Sequence, residues 1–185
     1  RNERNANSGL VVALDADDLA PFERFPGDPL AGIALQRELE ERAFRLGGNS
    51  YAAPAQRLED FLAARPSTRL GAIAASYQPG VHPADLDALL PPPIVEALRE
   101  ALPVFARKLK GYDHPDAVLT GVETRTSSPV RIPRDEALES LNVKGLVPAG
   151  EGAGYAGGIL SAGIDGIRAA EAVARQLLMG KVEKS

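Results

Sequence analysis

The sequence predicts an α+β fold: a helical subdomain inserted among strands, closing on a strand, a glycine loop and a long helix. Three observations carry this expectation. Ile94, Leu98, Leu102, Phe105 and Leu109 form the clearest helical stripe in the chain. Short β-branched and aliphatic runs at 9–14 and 143–149 read as strands. Proline and glycine divide the chain unevenly: all 15 prolines lie at or before Pro148, whereas nine of the 18 glycines fall within 145–180. The last forty or so residues therefore follow a different backbone logic from the rest.

The elements follow in order. The run at 9–14 ends in the acidic turn Asp15-Ala16-Asp17-Asp18. Asp28 is placed to cap a helix with Pro29 at its first position. Leu35, Leu39, Ala43 and Leu46 give that helix one apolar face, and Gly47-Gly48 stops it. Pro54 is expected to open a second helix with Leu58, Phe61 and Leu62 inward, ended before Pro66. A turn or two at 85–90 and the stiff Pro91-Pro92-Pro93 spacer lead into the striped helix, which Pro103 interrupts and Gly111 ends. Residues 117–126 and 129–133 read as two strands joined at Ser127-Ser128, with a helical turn at 135–141. Residues 143–149 read as a buried strand. A helix over 159–179 follows, with Leu160, Ile164, Ile167, Ala170, Ala174 and Leu177 inward and Arg168, Glu171 and Arg175 outward.

Composition bounds the function. A chain of 185 residues buries roughly 70% of its unfolded surface, enough for a core without staples. Apolar residues at 44% and charged residues at 25% are the ordinary globular balance. The net charge of −4 leaves no basic excess for a nucleic-acid backbone. The absence of cysteine excludes disulfides, thiolate metal sites and cysteine redox chemistry. No apolar run reaches the ~20 residues that span a bilayer, and no signal peptide opens the chain. A soluble, cytoplasmic protein is expected, with no membrane or nucleic-acid partner. Arg1 in place of Met suggests a piece of something longer.

The strongest chemical signal is the loop that carries glycine at 150, 152, 154, 157 and 158. Such a loop lets backbone approach a ligand closely, and the following helix aims its positive end and unpaired N–H groups at it. The bland alternative is a tight strand-to-helix corner, but a corner needs only one or two glycines. Gly152-x-Gly154-x-x-Gly157 also fits the dinucleotide fingerprint. That fingerprint opens a sheet and needs a second parallel strand after its helix. No strand-like run follows 159–179, so this pair completes a sheet instead of starting one.

The stretch GLVPAGEGAGYAGGILSAGIDGIRAAEAVA resembles the C-terminal flavin-binding segment of uncharacterised FAD-dependent (NAD-utilising) dehydrogenases, in the glutathione-reductase-like flavoprotein superfamily. NSGLVV at 7–12, QRE at 36–38, PAQR at 54–57, SYQPG at 76–80 and GVETRTSSPVR at 121–131 resemble the same family, so the likeness covers nearly the whole chain. It implies a parent whose N-terminal half, carrying the first βαβ unit, grips the FAD pyrophosphate and adenosine. It implies that Glu151 takes a ribityl hydroxyl, that Gly157, Gly158 and Ile159 face the flavin ring edge, and that Gly150, Gly152 and Gly154 complete the cofactor-binding loop. FAD is the implied cofactor of the parent, with NAD(P) as electron donor or acceptor. No FAD is expected on this chain alone, which is expected to be inactive. The last segment becomes the closing strand, loop and helix of an incomplete FAD-binding, Rossmann-like domain (135–185). The helical subdomain spans 21–112, and 1–20 with 113–134 form a strand region beside it.

Arg125, Ser127, Ser128 and Arg131 are the second candidate group, as two arginines and hydroxyls that orient an anionic substrate or the flavin edge. A polar β-turn with solvated arginines is the alternative. Asn7 and Ser8 divide evenly between a turn and a flavin contact. His82 and His114 lack partners at ligand spacing and read as surface residues. Tyr77 and Tyr155 read as packing groups, and Asp15, Asp17 and Asp18 as a solvated turn without the glycine of a cation loop. No metal site and no catalytic residue is assigned. Two other functions remain open: a self-contained anion- or nucleotide-binding module using the 150–158 loop, and a structural interaction domain. The exposed edge of 143–149 is expected to pair with another chain, giving a homo-oligomer, or to be covered locally. The small-molecule substrate is not legible.

Overall fold

The computed structural model describes residues 5–182, with side chains to Met179. The architecture is α+β, and the chain divides into two compact units. One gathers the described residues up to Leu19 with Leu35–Thr124, and the other gathers Ala20–Ala34 with the described residues from Arg125 onward.

The first unit is built on a three-stranded sheet ordered β2-β1-β3, from β1 (Ala53–Arg57), β2 (Val81–Pro83) and β3 (Val118–Thr120). β1 pairs parallel with β2, Ala53 opposite Val81, and antiparallel with β3, Gln56 opposite Leu119. This corrects the expectation that Pro54 opens a helix. Pro54 has no N–H to lose, and its carbonyl takes the Gly121 N–H at 2.9 Å, so it serves a central strand despite the usual bias to edges. α1 (Ala16–Leu19) and α2 (Ala31–Leu46) precede the sheet, and only α3 (Leu58–Leu62) keeps the helical turn expected after Pro54. Gln56 is wholly buried in β1. Its amide donates to Arg65 O at 2.8 Å and its oxygen accepts the Leu86 N–H at 2.9 Å, which satisfies a group that would otherwise cost the fold heavily.

The core beneath the sheet is Leu58, Phe61, Leu86, Leu89, Val95 and Leu102. α4 (Pro92–Lys108) supplies Val95 and Leu102, with Leu98 beside them, whereas Phe105 turns outward against the Tyr112 ring at 5.9 Å. Gly121 lies so close that a Cβ there would stand 2.7 Å from Leu89, and only glycine lets β3 leave over this core. Asp60, nearly buried, accepts from Ser67 at 2.6 Å and from Arg65 at 2.7 Å; these bonds, opposed by burial, hold its carboxyl below the usual range.

Residues 9–14 form no strand. Leu10 packs on the core while Val11 is exposed, and among the described residues no strand pairs with this run. The strand expected at 117–126 shrinks to β3, and 129–133 is unpaired, with a single bridge between Arg134 and Ser140 in its wake. The acidic turn closes on itself: Asp15 Oδ1 accepts the Asp17 and Asp18 N–H groups at 2.9 and 3.2 Å and starts α1.

In the second unit, buried Asp28 accepts the Leu30 N–H at 2.9 Å and the Arg24 guanidinium at 2.7 Å, so α2 begins at Ala31, a little later than its sequence cap suggests. The expected helical turn at 135–141 is a tight loop in which Asp135 N–H bonds Glu139 O at 2.9 Å and Leu138 takes φ +67°. The buried strand expected at 143–149 is absent, with Val143 and Leu146 exposed. A strand needs a neighbouring strand for its N–H and C=O rows; among the described residues none pairs with this run, and its groups bond locally, as Ser140 N–H does to Leu146 O at 2.8 Å.

α5 (Ile159–Val182) forms as predicted but turns the other way. Ala162, Asp165, Ala169 and Ala172 are its half-buried or buried line, at spacings of three and four. The stripe expected inward lies open, with Leu160 83% and Ile167 63% exposed. Among the described residues no helix is long and apolar enough to cross a membrane.

Candidate functional site

The sequence in 127–157 folds around one cleft of about 230 Å³, lined by Ser127, Ser128, Glu151 and the residues 154–157, all within the second unit. Backbone positions that glycine alone tolerates shape it. Gly150 takes φ +69°, ψ −157°, a region closed to residues with a Cβ, and this turns the chain into the 3₁₀ turn Glu151–Ala153. Gly154 caps that turn at φ +82°, and a Cβ there would stand 2.6 Å from Val130 O and 2.9 Å from Arg131 Cα. The close approach is bonded: Ile132 N–H donates to Ala153 O at 3.2 Å, and the Ser128 hydroxyl lies 2.8 Å from Val130 O and 3.2 Å from Gly152 O.

Behind the cleft stands a charged brace. Arg134 donates to both oxygens of Asp165, at 2.6 and 3.0 Å, and to Pro148 O at 2.7 Å. Asp165 in turn accepts the Gly150 N–H at 2.7 Å. The two side chains are only 10% and 12% exposed, so the pair works in a poorly solvated setting. Arg134 and then the Gly150 amide pull the Asp165 carboxyl down to about 2, against the opposing effect of burial, and Asp165 raises Arg134. The guanidinium carbon of Arg134 sits 3.8 Å from the centre of the Tyr155 ring, and that of Arg131 sits 4.4 Å from it. The Tyr155 hydroxyl donates to Ile132 O and accepts from Arg134 N–H, both at 3.1 Å.

The cleft thus brings together Ser127, Ser128, Glu151, Gly154 and Gly157 from the residues singled out in the sequence, and adds Tyr155 and Ala156. Gly150 is a hinge behind it, and Gly152 offers its carbonyl to Ser128. Beyond the ideal Cβ positions of Gly152 and Gly157 there is open space. Gly158 N–H is taken by Ser161 Oγ at 3.2 Å. Ile159, 94% exposed, starts α5, and the first intrahelical bond is Ala162 N–H to Gly158 O at 2.8 Å. Arg125 and Arg131 belong to the same unit without lining the cleft; Arg131 is exposed and stacks on Tyr155, which does line it. Asn7 and Ser8 belong to the other unit, where Ser8 Oγ and the Tyr112 hydroxyl share a bond of 2.9 Å. His82 lies on β2, exposed, and His114 Nδ1 accepts the Asp116 N–H at 3.1 Å. The described residues contain no group of three metal-ligating side chains.

Arg134 and Asp165 went unread in the sequence. They stand 31 residues apart, which no local pattern links. The usable signal was a lone carboxylate in the otherwise small and apolar first turns of α5.

A family model described as FAD-dependent protein, C-terminal domain-like, matches residues 1–126. An uncharacterized protein of Clostridium beijerinckii is 51% identical over 172 residues, which is 92% of this chain and 31% of that protein. The chain therefore spans about a third of the length of this curated relative.

Proposed function

This chain belongs to the FAD-dependent protein, C-terminal domain-like family, and from that membership we propose that it is the C-terminal part of a flavoprotein oxidoreductase. The parent binds FAD and passes a hydride between the flavin and a small organic substrate, as a dehydrogenase of the glutathione-reductase-like kind, with NAD(P) as electron partner. In this reading 135–185 closes the FAD domain and 21–112 forms the substrate-side lobe.

The observation that supports the reading best is the cleft that gathers Ser127, Ser128, Glu151 and residues 154–157, just ahead of α5 in the chain. Its residues would suit one edge of a flavin. The volume of about 230 Å³ falls below the ~300–1,000 Å³ of a complete small-molecule site, so the cleft would take part of a dinucleotide and not the whole. Gly152 and Gly157 leave space open where side chains would otherwise project. Glu151, exposed at the cleft, would accept a ribityl hydroxyl. The amides of Ile159 and Leu160 precede the first intrahelical bond, so they and the helix dipole would hold the carbonyl edge of the ring and favour negative charge there. Bound flavin supplies the hydride-accepting centre that no side chain of this protein can provide. The exposed apolar face of α5, Leu160, Ile164 and Ile167, fits cover by the remainder of the parent.

The test is FAD retention by the full-length protein. Glu151→Ala is expected to weaken it by about 10- to 150-fold, the worth of one charge-assisted hydrogen bond of ~1.5–3 kcal/mol. Unchanged retention would overturn the ribityl role, and a full-length protein without flavin absorbance would overturn the reading as a whole.

A further inference from the structure

Two arginines share the Tyr155 ring, and their circumstances differ. Arg134 is 10% exposed and spends its donors on Asp165 and Pro148 O. Arg131 is exposed, and no carboxylate stands within ion-pair distance of it among the described residues. Arg134 and Asp165 cancel, so the stack carries one uncompensated positive charge, and it sits on Arg131. From this contrast we propose that Arg131 is the binding group for a carboxylate of the small-molecule substrate at the mouth of the cleft. Naming the anion's owner as a substrate rests on the flavin reading above; the anion site itself does not.

The geometry prepares Arg131 for that work. An exposed arginine ordinarily loses much side-chain freedom on binding, which offsets its attraction. Here the planar head already lies 4.4 Å from the Tyr155 ring centre, so part of that cost is met before the ligand arrives. Its backbone is fixed as well, pressed on Gly154 and followed by the Ile132 to Ala153 bond of 3.2 Å. Tyr155, under the head, and Gly154, against its backbone, both line the cleft, which sets Arg131 next to that lining. A guanidinium fork matches a carboxylate with two parallel bonds, a fit that an ammonium lacks. Glu151 lines the same cleft without pairing with Arg131, so the site favours a ligand with an anionic end and a hydroxyl or other donor end.

The experiment is calorimetric titration of the full-length protein with succinate, and separately with inorganic phosphate. Arg131→Gln is expected to weaken succinate about tenfold or more while FAD content and melting temperature stay unchanged. Arg131→Lys should recover only part of the loss, and Arg168→Gln, removing an exposed charge on α5, should change affinity less than about twofold. The proposal falls if the parent does not bind succinate, if Arg168→Gln weakens binding as much, or if Arg131→Gln instead sheds FAD and loses phosphate alone, which would make Arg131 a cofactor-phosphate contact. A colourless full-length protein that still binds succinate through Arg131 would sink the flavin reading and leave this site standing.

Discussion

Arg134 and Asp165 form a two-bond pair at 2.6 and 3.0 Å, and the same Asp165 oxygen that takes the longer bond also takes the Gly150 N–H at 2.7 Å. One carboxylate thus ties the loop before the cleft to the helix after it. Asp165→Asn keeps the shape and removes the charge, leaving Arg134 poorly solvated and without its counter-ion. We expect a loss of about 2 kcal/mol, read as a melting temperature lower by roughly 4–8 °C in a chain of this size. A variant that melts with the wild type would show that the pair is ornamental.

The same pair predicts a pH dependence. The Asp165 carboxyl lies at about 2 when folded, below the ordinary 3.8. On acidification the unfolded chain therefore takes up the proton first. The stability this group supplies is complete above its ordinary value and is lost as the pH falls through its folded one. Asp28, Asp60 and Asp116 are lowered too, so acid unfolding is shared among them. The measurement is the difference between wild type and Asp165→Asn: their stabilities should converge between pH 4 and 2, following the two values of Asp165. A gap that stays constant over that range would rule out the assignment.

Two glycines of the loop should respond oppositely to the same substitution. Gly154→Ala places a Cβ 2.6 Å from Val130 O on a residue at φ +82°, and is expected to destabilise the chain by about 1–3 kcal/mol. Gly157→Ala adds a methyl to open space, so the melting temperature should hold, while FAD retention by the full-length protein should fall. If Gly157→Ala changes neither, the space beside it does not receive the flavin.

What the sequence showed and hid follows from the range of the forces involved. α2, α4 and α5 were legible because capping residues, proline at an entry and apolar spacing all lie within one run. β1 was not, since Pro54 reads locally as a helix start and only its two neighbours in the sheet, 28 residues away in the parallel pairs with β2 and 61 to 65 away in the antiparallel pairs with β3, turn it into a strand. The glycine loop was legible as a loop, and Ser127, Ser128 and Glu151 do meet at one cleft. Which face of α5 packs was not, because alanines and one aspartate, rather than its leucines and isoleucines, meet the rest of the unit.

That open face makes a prediction about the chain by itself. Ile164 is 53% exposed, and Ile164→Ser should change the stability of this chain by less than about 0.5 kcal/mol. In the full-length protein, where we propose that the remainder of the parent covers the stripe, the same change should cost about 2 kcal/mol. Equal small effects in both would leave the face uncovered and remove the argument for a partner there.

The final prediction concerns the purified chain. It should be colourless and should bind added FAD weakly. Affinity for a dinucleotide is assembled from contacts along its whole length, and each ~1.4 kcal/mol withheld is a factor of ten. The cleft of about 230 Å³ offers one carboxylate and a few hydroxyls to a ring edge. The pyrophosphate and adenosine have no comparable cradle on the residues that build it, because the Gly152-x-Gly154-x-x-Gly157 pattern follows no strand: 143–149 pairs with no strand among the described residues, and Gly154 is packed tightly on Val130 and Arg131. Absorbance in the flavin bands after purification, followed by titration with FAD, decides the matter. A yellow protein or tight stoichiometric binding would mean that this chain, alone or as a pair of copies, completes the site, and the assignment of the missing contacts to the rest of the parent would have to be withdrawn.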